Sequence, residues 1–115
     1  MNGRIHQGIA YSLIGLGGLH ALLTPIFYPA FSADAVWFAG TGLALVFLGV
    51  LNIAHTRSPD RHIQRLCLIS NVIGTLFCGV IAAVVAEPQA YLAVGLAATS
   101  LIASLRSAAP TGIAQ

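Results

Sequence analysis

Four apolar runs, at about 5–24, 35–55, 62–86 and 88–106, alternate with short breaks marked by proline or polar residues. Each holds roughly 19 to 25 residues, about 28–37 Å as a helix, which matches a bilayer hydrocarbon core about 30 Å thick. A transmembrane barrel would need shorter, alternating segments with turn residues about every 10 positions, and no such pattern is present. Charge agrees with a lipid environment. Only 7% of the 115 residues are charged while 57% are hydrophobic, whereas a soluble domain carries about 25% charged residues. The expected fold is all-α, a polytopic membrane protein built as an antiparallel four-transmembrane-helix bundle. It forms one domain over 1–106, followed by a short flexible tail at 107–115.

The breaks at 29–34, 56–61 and 87–88 are short enough to force antiparallel neighbours. A charged start, an apolar run and Ala33-Asp34-Ala35 are similar to a signal peptide with its cleavage site. The run is nevertheless expected to persist as the first helix. Arg4, Arg57, Arg61, Arg65 and Arg106 all fall at one end of such a bundle, and Asp34 and Glu87 at the other. The rule that basic loops stay inside predicts both termini in the cytoplasm of a bacterial inner membrane. Phe27, Tyr28, Phe31, Trp37, Phe38 and Tyr91 gather at the acidic end, as an interfacial aromatic belt would.

Helix periodicity sorts the runs into faces. Gly42, Leu45, Gly49 and Asn52 align on the second run, and Cys67, Asn71, Gly74 and Cys78 on the third. Ala93, Ala97, Ser100 and Ser104 align on the fourth. Ser70, Gly74 and Cys78 repeat at four-residue spacing, which lets helix backbones approach closely. Gly42, Gly49, Ser70, Gly74 and Cys78 are therefore the expected helix-packing positions. Asn52 and Asn71 stand at similar depth and are expected to hydrogen-bond across the second and third helices, with a place along a cargo pathway as the alternative. Cys67 and Cys78 lie about 16 Å apart along one helix and cannot bridge each other.

His20 is the one ionisable side chain well inside an apolar run, and intramembrane ionisable groups are functional candidates by default. It serves local structure or, with Trp37, the polar head of a bound hydrophobic molecule. Its depth depends on whether the first helix ends or kinks at Pro25. His6, His55 and His62 all fall at the basic boundary, where His55 and His62 are expected to be solvated, with an anionic lipid headgroup as the alternative. None can pair with His20 as axial ligands at one depth, so no metal or haem site is expected, and the sequence names no cofactor. Paired intramembrane carboxylates, a nucleophile beside a base, a phosphate-cradling loop and Cys-x-x-Cys are all lacking, which leans against an enzyme. Five arginines without a lysine make no basic stripe, so nucleic acid is not an expected partner.

The glycine-rich first run ending in proline (Gly15 to Pro25), the glycine-bearing second run (Ala39 to Asn52) and Pro88-Gln89 before the last run resemble bacterial DoxX-like small four-helix membrane proteins. That resemblance implies an accessory membrane subunit, sometimes associated with quinone-linked oxidoreductases, and supplies no catalytic residue. The leading expectation is thus a non-catalytic accessory or structural subunit of a membrane complex, redox or energy-converting in kind. Its partners would be the lipid bilayer and other membrane subunits or copies of itself. The alternatives are a small homo-oligomeric transporter or channel with His20, Asn52 and Asn71 near the pathway, and a binder or enzyme of a quinone-like molecule.

Overall fold

The computed structural model describes residues 3–108. They form α1 (Gly3–Phe27), α2 (Ala33–Arg57), α3 (Arg61–Val85) and α4 (Pro88–Ala108). All four are long and apolar enough to cross a membrane, and no strand occurs among the described residues. The chain is a four-helix membrane protein. The tail expected from 107 onward begins inside α4, and its remainder, 109–115, lies outside the described residues.

Local chemistry sets the helix ends. Ser32 caps α2, its hydroxyl accepting from the Ala35 N–H at 3.2 Å, with Asp34 in the first turn. Such a cap satisfies a donor that the helix itself leaves free. Asp60 caps α3 by accepting from the His62 N–H at 2.8 Å. At the far end of α3, Ala86 takes a left-handed conformation with φ 53° and donates to the Ala82 carbonyl at 3.0 Å. Glycine is the usual occupant of such a position, because a Cβ there is strained. Pro88 opens α4, where its missing N–H costs nothing.

The first helix neither stops nor frays at Pro25. It runs through to Phe27, and Tyr28 N–H closes the last turn on the Thr24 carbonyl at 2.8 Å. Proline this close to a helix end removes only its own bond to the carbonyl four residues back. Thr24 is buried and donates from its hydroxyl to the His20 carbonyl at 3.1 Å. The turn that the sequence left open at Pro25 is therefore helical and carries α1 over the start of α2.

Two hairpins make the bundle: α1 packs most extensively on α2, and α3 on α4. Glycine allows the first contact. A Cβ at Gly17 would strike the Gly42 carbonyl oxygen, and one at Gly42 would lie 2.6 Å from the Gly17 carbonyl oxygen. A Cβ at Gly49 would lie 2.6 Å from the Ala10 carbonyl oxygen. Backbones this close leave no room for side chains at those positions. The second hairpin closes on Ala93, Ala97, Ser100 and Ser104, all buried. Between the hairpins sits a small core of Leu13, Leu45, Leu48, Cys78, Ala93 and Ala97. Bulky residues such as Leu22, Phe47, Ile73, Leu76, Val80 and Val84 point outward, as lipid-facing surfaces do.

Candidate functional site

The start of α1, the end of α2, the start of α3 and the end of α4 meet at the arginine-bearing end, and there they bury a polar cluster. Each helix contributes: His6 from α1, Asn52 from α2, Cys67 and Asn71 from α3, Ser104 from α4. All five are 0–1% exposed. The two asparagine amides pair reciprocally, Asn52 Nδ2 donating to Asn71 Oδ1 at 2.8 Å and Asn71 Nδ2 to Asn52 Oδ1 at 3.0 Å. Asn52 also donates to the Leu48 carbonyl at 2.8 Å. Asn71 Nδ2 reaches Ser104 Oγ at 2.5 Å, and the Ser104 hydroxyl donates to the Ser100 carbonyl at 2.8 Å.

His6 joins through Nε2, 2.8 Å from Asn52 Oδ1. An amide oxygen only accepts, so His6 Nε2 is the donor in this bond. The Cys67 thiol donates to the same oxygen at 3.4 Å. The direction of donation decides what the cluster can do. Amide, hydroxyl, thiol and imidazole each donate along a chain of bonds that ends in an amide or backbone oxygen. It is an arrangement that joins four helices at one depth.

The Asn52–Asn71 bond forms as the sequence suggested. His55 stands at the expected end of the bundle but is not solvated there. His55 is 5% exposed, and its ring lies 5.2 Å from that of His6 at 56°. Its two ring nitrogens have no hydrogen-bond partner among the described residues, and neither has the Ser100 hydroxyl. The expectation of solvation fails because α1 covers this end of α2. Gln7 Nε2 donates to Thr56 Oγ1 at 3.2 Å and Arg57 Nη2 to Tyr11 Oη at 3.1 Å, which draws the two helix ends together. His62, at the start of α3, is exposed as expected. Among the described residues no three His, Cys, Asp or Glu side chains converge as a metal centre requires.

The opposite end of the bundle opens into a cleft of about 360 Å³ to which all four helices contribute. Leu16, Leu45, Cys78 and Ala93 are among its apolar lining. Around it stand His20, Tyr28, Trp37, Phe38, Asp34 and Glu87. His20 is half-buried and stacks on Phe38 with ring centroids 3.7 Å apart at 20°, and Tyr28 leans on the same Phe38 at 5.2 Å. The sequence showed no partner for His20; the partner is an aromatic face. Trp37 is 75% exposed. The structure thus brings His20 and Trp37 to one cleft and separates both from Asn52 and Asn71.

A second groove, of about 390 Å³, runs along the flank of the bundle between α2 and α3. Ala44, Ser70 and Gly74 line it together with Phe47, Leu51 and Ile73. Of the expected packing positions, Gly42 and Gly49 face α1, and Cys78 is buried in the core. Gly74 lies against the tip of Leu48, and Ser70 is half-buried on the groove. No protein-family model matches this chain, and no curated protein or solved structure matches it significantly.

Proposed function

We propose that this chain is a non-catalytic subunit of a membrane protein complex, held in a bacterial inner membrane with both termini cytoplasmic, and that it packs against a transmembrane helix of another subunit. The observation that carries this reading is the flank groove between α2 and α3. Its lining of Ala44, Ser70 and Gly74 admits close approach of a helix, while Phe47, Leu51 and Ile73 offer bulky contacts beside it. Helix association within lipid relies on such close packing. A conduction path through a single bundle is disfavoured by the Leu13, Leu45 and Leu48 core and by the buried amide pair.

Blue native electrophoresis of the mildly solubilised membrane, with mass spectrometry of the band, tests the proposal. A heteromeric band that disperses on Ser70→Phe, while Val84→Phe on the exposed face leaves it intact, is the expected result. A homomeric band insensitive to Ser70→Phe would favour the oligomeric transporter instead.

A further inference from the structure

We propose that the cleft at the acidic end binds lipophilic organic cations, the apolar body on the Leu45–Cys78 floor and the positive charge facing Asp34, Glu87 and the Trp37 ring. This goes beyond the packing role: the cleft adjoins the flank groove and shares Thr41, Leu45, Phe77 and Cys78 with it, but Asp34, Glu87 and Trp37 line the cleft alone. Volume is the first argument. About 360 Å³ falls in the range of small-molecule sites, roughly 300–1,000 Å³, and such sites combine an apolar lining with a few convergent polar groups.

The second argument is sign. Two of the three carboxylates in the chain, Asp34 and Glu87, stand on this cleft, and neither lysine nor arginine lines it. All five arginines sit in the loops and helix ends of the opposite side or in the turns next to them. A cleft with one sign of charge and low-dielectric walls concentrates ions of the other sign.

The third argument is the aromatic set. Tyr28, Trp37 and Phe38 surround the cleft together with the two carboxylates. Indole and phenol faces attract cations, most strongly where water is scarce. An anion would meet repulsion from both carboxylates, and a neutral quinone would leave them without a counter-charge. His20 is engaged by its stack on Phe38, and at about pH 8 an ordinary imidazole is uncharged and does not oppose a cation.

Trp37 is the sole tryptophan, so its fluorescence reports the cleft directly. The purified full chain in neutral detergent at about pH 8 is titrated with tetraphenylphosphonium and, separately, with tetraphenylborate, an ion of like size and opposite charge. The expected result is a saturable change with the phosphonium alone, its apparent Kd weakened about tenfold or more in Asp34→Asn/Glu87→Gln, since both negative charges facing the cation are lost. Both replacements are isosteric and exposed, and an unchanged melting temperature checks that the fold survives. Displacement by a short-chain phosphatidylcholine would identify a lipid headgroup as the cation, and lack of displacement a free solute. Equal responses to the two ions, an unsaturable response, or an affinity unchanged in the double variant would overturn the proposal. Saturable binding of decylubiquinone without binding of the phosphonium would also overturn it.

Discussion

Asn71 sits where three helices meet, with its amide bonded to Asn52 and to Ser104. Interhelical bonds within membranes contribute modestly, about 0.6 kcal/mol on average. Removing one partner is costlier than that figure, because the groups left behind stay buried and unpaired. Asn71→Leu should lower stability by about 1–3 kcal/mol, read as an earlier thermal transition in detergent. Asn52→Leu combined with Asn71→Leu should cost clearly less than the sum of the two single changes, since the amides are each other's partners. Strict additivity would mean that the reciprocal pair does not form. The pair could be read from the sequence because both asparagines lie on seams of small residues at matching depth. His6 and His55 could not. Each stands beside an arginine or a polar residue that marks the helix end as wet, and only the overlap of α1 with α2 buries them.

Helix faces were the most readable level, because a period of 3.6 places every seam without knowledge of its partner. The seams of α2, α3 and α4 do turn inward: Asn52, Asn71, Cys67, Ala97, Ser100 and Ser104 are all buried. What the period does not say is which neighbour each glycine meets. Gly42 and Gly49 meet the backbone of α1, whereas Gly74 meets only the end of the Leu48 side chain, 2.9 Å from a built Cβ. A leucine tip can move and a carbonyl cannot. Gly42→Ala should therefore destabilise the bundle by about 1–3 kcal/mol as an overpacked contact, and Gly74→Ala by less. Comparison of the two melting temperatures in one detergent checks this. A larger loss at Gly74 would place the tight helix pair at α2–α3 instead of α1–α2. The last turn of α1 was unreadable for a related reason. Proline in a sequence signals a stop, but its cost is one hydrogen bond when it falls near a helix end.

At the scale of the whole molecule the two ends of the bundle differ in kind. The arginine end is closed by hydrogen bonds across all four helices, and the acidic end opens into a cleft ringed by aromatics. The sequence announced the charge asymmetry but not the cleft, because a cavity arises from how helices diverge and leaves no periodic trace. The proposed orientation follows from the same asymmetry. Short basic loops stay in the cytoplasm, which places Arg57, Arg61 and Arg65 inside and Asp34 and Glu87 outside. Cysteine accessibility in intact cells tests this most directly, in a background from which Cys67 and Cys78 have been removed. Ser32→Cys, between α1 and α2 at the acidic end, should react with a membrane-impermeant thiol reagent. Ser107→Cys, at the end of α4, should react only after the membrane is breached. Labelling of Ser107→Cys in intact cells with protection of Ser32→Cys would invert the orientation, and labelling of both would contradict a bundle that crosses the membrane four times.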